Sequence, residues 1–279
     1  MYSRVYVEIT NICNMHCSFC HGHSRAPRQM TESEYAHVLA QLSGKTQYIY
    51  HHLMGEPLVH PLLPQFIEMA HRSGFRPMLT TNGTLLDSRA DALLGKGLHK
   101  VNISLHSFEG ESADAHGQYL DKIAQFADRA VRDGTIISLR LWNHGCDEGK
   151  NQTALAHLQE ILPGQWTQNT RGYRIRDGLF LEWGERFAWP DLNAPDYGTR
   201  IACYGLRDHF GILSDGTVVP CCLDSEGTMG LGNVFREALD NILASPRAKA
   251  IAEGFRCRNA AESLCRHCGY AQRFTTGGL

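Results

Sequence analysis

Cys13, Cys17 and Cys20 place three thiols within eight residues, spaced C-x3-C-x2-C, close enough for one loop to wrap a single polynuclear metal centre. Structural zinc closes a tetrahedron with four ligands, usually from paired C-x2-C knuckles, whereas three cysteines on a [4Fe–4S] cluster leave one iron without a protein ligand. Such an open iron is a place to bind and reduce another molecule. A second group, Cys203, Cys221, Cys222, Cys257, Cys265 and Cys268, lies near the other end, and Cys146 stands apart. No run of 18 apolar residues and no signal-peptide core is present, so the reading places the protein in the cytoplasm. Cysteines kept reduced there serve as metal ligands or reactive thiols rather than disulfides.

The elements that must position these thiols repeat as strand, glycine-containing loop and helix. Strands are expected at Val5–Ile9, Gln47–Leu53, Arg76–Thr80, Lys100–Leu105, Ile136–Trp142 and Leu179–Trp183, from β-branched and aromatic runs. Helices are expected after the Thr31–Glu34 capping box, from Pro61 at a first helical turn, and over Ser88–Leu94, Tyr119–Arg132 and Thr153–Leu162. Alternation of this kind demands a parallel sheet whose functional loops sit at the C-terminal strand ends. Six units fall short of a full eight-unit barrel, so the expected fold is α/β, a partial (β/α)6 TIM-type barrel over 1–190. A small cysteine-rich domain is expected over 191–279.

The C-x3-C-x2-C loop directly after a first strand, with Phe19 before its last cysteine, resembles the radical S-adenosylmethionine (SAM) superfamily. The resemblance implies a [4Fe–4S] cluster on Cys13, Cys17 and Cys20 that chelates SAM and cleaves it to a 5′-deoxyadenosyl radical. Met54-Gly55-Glu56-Pro57 is similar to the family's motif for the SAM ammonium, which would make Glu56 a charge-assisted acceptor. Thr80 and Asn82, in Thr80-Thr-Asn-Gly83, resemble the family's TNG turn, and Ser104 and Arg140 resemble contacts to the SAM ribose or carboxylate. Phe19 would lie beside the adenine. Each motif follows a successive expected strand, and those ends face one mouth in a parallel barrel.

The tail reads C-x12-G-x4-C from Cys203 through Gly216 to Cys221, with a hairpin at Asp215-Gly216, and ends in Cys257-x7-Cys265-x2-Cys268. It resembles the SPASM and twitch extensions of the same superfamily, which implies one auxiliary [4Fe–4S] cluster on Cys203, Cys221, Cys265 and Cys268. Cys222 reads as a small buried residue, and Cys257 as a spare thiol or a substitute ligand. A zinc ribbon from Cys257, Cys265 and Cys268 with His267 or Cys221 is the competing reading of the spacing.

With 27 basic against 29 acidic residues the chain has no basic excess, so neither nucleic acid nor membrane is an expected partner. His51 and His52 are adjacent on a strand and must face opposite sides; one faces the substrate side and the other the core or solvent. Glu182 and Arg186 are read as substrate contacts or surface ion pairs, and Cys146 as an inert thiol. The expected activity is hydrogen abstraction, with the auxiliary cluster accepting an electron and an external flavodoxin or ferredoxin supplying one. Peptide or protein side-chain modification is the first expectation and oxidation of a small alcohol the second. A non-catalytic iron–sulfur or zinc protein is the alternative class. No residue is assigned as a catalytic acid or base.

Overall fold

The computed structural model describes residues 1–108 and 112–274. The chain starts with β1 (Arg4–Val7), α1 (Glu32–Leu42) and β2 (Tyr48–Tyr50). It continues through α2 (Leu63–Arg72), β3 (Arg76–Thr81), α3 (Leu86–Leu93), β4 (Lys100–Ser104), α4 (Ala113–Arg132), β5 (Ile136–His144) and α5 (Lys150–Ile161). Then come β6 (Thr167–Asn169), β7 (Gly172–Arg176) and β8 (Leu179–Glu185). The tail holds β9 (His209–Ile212), β10 (Thr217–Val219), β11 (Gly232–Asn233), α6 (Leu239–Leu243), α7 (Pro246–Arg256), α8 (Ser263–Arg266) and α9 (Gly269–Gln272). All six expected parallel strands occur, as β1, β2, β3, β4, β5 and β8.

Two compact units result. One comprises Met1–Cys13, Cys20–Gly55 and the chain from Phe187 onward; the other comprises Asn14–Phe19 and Glu56–Arg186. In the first, β1 pairs parallel with β2 on one side and with β9 on the other, Arg4 lying opposite His209 and Val7 opposite Ile212. The β9–β10 hairpin turns at Asp215-Gly216, where Gly216 takes φ +87°, the left-handed region that glycine enters without a steric cost. Fully buried Val5 and Val7 mark the apolar face of β1, and α1 buries Tyr35, Val38, Leu39 and Leu42 at helical spacing. The expected capping box starts α1: Thr31 N–H donates to Glu34 at 2.8 Å and Glu34 N–H to the Thr31 hydroxyl at 3.3 Å.

In the second unit β3, β4, β5 and β8 are parallel neighbours, extended antiparallel by β7 and β6. Alternation along the strands sorts the residues. Val101, Ile103, Ile137 and Leu139 are fully buried on one face, and α4 buries Ile123, Phe126 and Ala127. Lys100, Asn102, Ser104, Ser138 and Arg140 belong to the other face.

Three sequence expectations need correction. Pro61 lies ahead of α2, which starts at Leu63 with Pro64 in its first turn, where a missing N–H costs least. The chain reaches β8 through the β6–β7 hairpin rather than straight from a helix, a two-strand extension whose short polar segments lack a strong alternating signal. In the tail α8, which carries Cys265, and α9, which follows Cys268, were not expected, and α7 starts from a Ser245 cap with Pro246 in its first turn.

Candidate functional site

In the second unit the turn after β3 and the segment that follows Glu56 itself enclose its carboxylate. Its carboxylate is buried and accepts three bonds: Leu58 N–H at 2.9 Å and the Thr81 hydroxyl at 2.7 Å on Oε1, and Asn82 N–H at 2.7 Å on Oε2. Burial pushes its pKa up from 4.5 to about 7, against the opposing pull of these donors. Asn82 continues the network, donating from Nδ2 to Asn14 Oδ1 at 3.0 Å and accepting from Thr84 N–H and hydroxyl at 3.0 and 2.7 Å. The Tyr119 hydroxyl donates to the Asn82 carbonyl at 2.8 Å. Gly83 has φ +79°, and a Cβ there would lie 2.7 Å from Ile123 Cδ1, so the turn demands glycine. Asn82 thus ties the cysteine-bearing segment, through Asn14, to the turn that Glu56 organises.

Cys17 and Phe19 lie on that same segment. Cys17 Sγ approaches the Ser107 carbonyl at 3.8 Å, and the Phe19 ring rests on the His106 ring at 4.7 Å between centroids. His106 Nδ1 lies 3.1 Å from the Arg140 carbonyl oxygen and accepts from Trp142 N–H at 3.3 Å. Burial lowers the His106 pKa to about 4, so the ring is neutral at pH 7. Thr80 accepts from Asn102 Nδ2 at 3.2 Å. Arg140 pairs with Glu182 at 3.6 Å and lies over the Trp142 ring at 4.5 Å, while Lys100 meets the same carboxylate at 3.6 Å. Glu182 therefore joins a partly buried ion network on the polar face, and Arg186 donates to the Ser18 carbonyl at 3.1 Å. Ser104 lies directly opposite Arg140 in the β4–β5 register.

In the first unit the feature that sequence reading missed is Glu8. Fully buried, it receives Arg25 Nη1 and Nη2 at 2.8 and 2.7 Å, Met54 N–H at 3.1 Å, and the Ser214 N–H and hydroxyl at 3.1 and 2.9 Å. One carboxylate joins β1, the cysteine loop, the Met54-Gly55 turn and the tail hairpin. The signal was present, since Glu8 is charged at the end of an otherwise apolar strand. Gly55, at φ +74°, allows a close approach: a Cβ would meet the Thr10 carbonyl oxygen at 2.6 Å. Cys13 and Cys20 are exposed. His51 is buried against the Tyr35 hydroxyl at 2.6 Å, and His52 packs edge-on to Tyr6 and Tyr50, so the two rings do part to opposite faces.

The tail gathers four thiols. Cys203, Cys221, Cys265 and Cys268 lie within electrostatic reach of one another, so that each of Cys203, Cys265 and Cys268 responds to the charge on Cys221. Burial lifts the Cys203 and Cys268 pKa values to about 12 and about 11, and raises that of Cys265 as well. Thiols held so high when unligated require a metal to become thiolates. Backbone N–H groups of Gly205 and Leu223 point at the sulfurs of Cys203 and Cys221, both at 3.4 Å. Around them Ala260 N–H bonds the Thr199 carbonyl at 2.7 Å, and Arg247 donates to Glu262 with two bonds of 2.7 and 2.9 Å. Cys257 is exposed and bonds Glu253 at 3.2 Å, with no cysteine among the groups that shift it. Among the described residues the one group of three candidate ligand atoms within 4.8 Å of one another is His209, Cys221 and Cys222, so no three of Cys203, Cys221, Cys265 and Cys268 stand that close together. Four cysteine sulfurs suit an iron–sulfur cluster or zinc equally on donor chemistry alone.

Comparison with known proteins separates these. Residues 7–139 match the family model described as the radical SAM superfamily, and residues 203–269 match SPASM, an iron–sulfur cluster-binding domain. A GTP 3′,8-cyclase of Chlorobaculum tepidum is 35% identical over 112 residues, 38% of this chain and 34% of that protein. One from Nautilia profundicola is 29% identical over 213 residues, 69% of this chain and 60% of that protein. The chain thus spans between about a third and three-fifths of the length of these curated relatives. Among solved structures, BtrN in complex with AdoMet and 2-DOIA aligns with a TM-score of 0.56 at 20% identity, over 96% of this chain and 93% of that one. Native anSMEcpe with bound AdoMet and a Kp18Cys peptide aligns with a TM-score of 0.62 at 14% identity, over 98% and 94%. These likenesses establish the fold, and no helix among the described residues is long and apolar enough to cross a membrane. A [4Fe–4S] cluster and SAM come with the first match and auxiliary iron–sulfur binding with the second, and by both the chain is an enzyme of the radical SAM superfamily carrying a C-terminal SPASM domain.

Proposed function

We propose that this enzyme carries out a two-electron oxidation of a small hydroxylated substrate, with the auxiliary cluster taking the second electron. The observation that carries this reading is the gathering of Cys203, Cys221, Cys265 and Cys268. Four thiolates saturate a [4Fe–4S] cluster, so no iron is left to coordinate substrate and electron acceptance is the role that remains. Function divides between residues 1–190, with the SAM cluster on Cys13, Cys17 and Cys20, and residues 191–279, with the auxiliary cluster. With cluster and SAM bound, Cys13, Cys17 and Cys20 would hold the group that supplies a radical for hydrogen-atom removal from the substrate carbon, the second electron would pass to the auxiliary cluster and the hydroxyl proton to solvent.

The chain's own residues orient the reactants. Glu56 fixes the turn holding Thr80 and Asn82, Ser104 and Arg140 face each other across two strands to receive the SAM ribose and carboxylate, and Phe19 borders the adenine. A hydroxylated substrate is favoured by the polar face of the second unit. Asn102 and Ser138 are fully buried and directly opposite in register, yet Asn102 Oδ1 and Ser138 Oγ meet no protein partner. Both side chains are closed off from solvent, so the half-buried Lys100, Arg140 and Glu182 on the same face are the groups that can meet a hydroxylated molecule. All ten cysteines are unbridged, which supports a reducing cytoplasm and an external flavodoxin or ferredoxin as donor.

The test is anaerobic reconstitution, iron and sulfide quantitation, and a dithionite-driven assay for 5′-deoxyadenosine with deuterated polyols, GTP or short peptides. Deuterium in the nucleoside from a polyol, together with a product lacking two hydrogens, is the expected result. Transfer from GTP or a peptide alone would refute the substrate class. No nucleoside from protein with its three-cysteine cluster intact would refute the activity. Cys13→Ala, Cys17→Ala or Cys20→Ala abolishes cleavage, whereas Cys265→Ala spares cleavage and blocks product.

A further inference from the structure

We propose that His209 sets the reduction potential of the auxiliary cluster through an N–H···S hydrogen bond to Cys221. This rests on the reading of Cys221 as a cluster ligand and goes beyond it by assigning a residue that tunes the cluster without ligating it.

The hairpin register makes the pairing. Val218 lies opposite Ile212 and Val219 opposite Gly211, so Cys221, two residues further along, falls opposite His209, two residues further back. The imidazole and the Cys221 sulfur lie within 4.8 Å of each other, close enough for a ring N–H to be aimed at the sulfur. On its other side the ring packs edge-on against Tyr6 at 5.7 Å between centroids, which fixes its plane. His209 Nδ1 is buried and bonds nothing in the protein, so Nε2 is the nitrogen we assign as donor. The backbone N–H of Leu223 approaches the same sulfur at 3.4 Å. Cys221 therefore has one fixed backbone donor, with the His209 and Cys222 side chains as its close neighbours.

Reduction adds negative charge that spreads onto the ligand sulfurs, and an N–H aimed at a sulfur stabilises the reduced cluster more than the oxidised one. His209 thereby raises the potential and makes the cluster a better acceptor for a substrate-derived electron. Direct ligation by His209 is disfavoured because four thiolates already complete the set.

The experiment uses the full chain with Cys13→Ala, Cys17→Ala and Cys20→Ala, which leaves the auxiliary cluster as the paramagnetic centre, and follows its midpoint potential by EPR-monitored titration. His209→Phe keeps the ring against Tyr6 and removes the N–H; His209→Gln keeps a donor at the position of Nε2. The expected result is a shift to more negative potential in the Phe variant, recovery toward the parent value in the Gln variant, and unchanged iron content in both. An unchanged potential in the Phe variant, or a Gln variant shifted as far as Phe, overturns the inference while leaving the ligand set intact. Loss of iron in both His209 variants overturns it in favour of ligation or a purely structural role. No iron in the parent triple variant overturns the ligand assignment and the inference with it.

Discussion

Glu56→Gln probes the buried carboxylate at the centre of the second unit's loops. Glu56 titrates near 4.5 when unfolded and near 7 when folded, because burial disfavours its charged form. At about 1.36 kcal/mol per pKa unit the difference amounts to about 3 kcal/mol. The sign is that of a raised pKa: the contribution is fully present below pH 4.5, where both states hold the proton, and is lost as pH rises through 7. Gln does not titrate. It keeps the acceptor for Leu58 and Thr81 but turns an NH2 toward Asn82 N–H, a mismatch costing about 1–3 kcal/mol at every pH. The stability of wild type minus variant should therefore fall by most of 3 kcal/mol, a magnitude set by the pKa difference, between pH 5 and 8. Urea unfolding of both proteins across that range under anaerobic conditions measures it. If Glu56 receives the SAM ammonium as proposed, the bound cation favours the ionised carboxylate, and SAM affinity should rise with pH toward 7 in wild type and stay flat in the variant. A pH-independent stability difference, or wild type gaining on the variant as pH rises, would refute this account of Glu56.

Arg25→Ala removes both donors that Glu8 receives from one guanidinium and leaves that buried carboxylate on Met54 and Ser214. Unfolding should show a loss of about 3–5 kcal/mol, the range for breaking a buried pair from one side. Thr81→Val removes the hydroxyl that donates to Glu56 at 2.7 Å and accepts from Gly83 N–H at 3.0 Å. It should destabilise by about 1–3 kcal/mol and weaken SAM binding in calorimetry, since the turn at Asn82 loosens.

Much of the fold was legible because strand and helix signals are local. The six parallel strands, the Thr31–Glu34 cap and the Asp215-Gly216 hairpin each depend on a few adjacent residues. Elements without strong periodicity, β6, β7 and the short tail helices, gave little to read. For the site, residue types and spacing pointed to Cys13, Cys17, Cys20 and the Glu56 turn. The partners of these groups did not follow from spacing, since Glu56 bonds Asn82 and Glu8 bonds Arg25 and Ser214 across long stretches of chain.

The sequence by itself determined that two cysteine groups exist, that βα units carry the first, and that a hairpin presents the second, because motif chemistry and turn geometry are properties of short segments. Tertiary structure alone decided where the spare cysteines of the tail lie. Spacing left Cys257 a candidate ligand beside the four cysteines the resemblance named, whereas folding leaves Cys257 exposed with its thiol on Glu253. It also decided that the tail's β9 runs parallel beside β1, so that residues near both ends of the chain build one compact unit. Pairing between distant strands depends on which backbone edges and buried faces remain unsatisfied after local structure has formed, and that is a property of the whole chain.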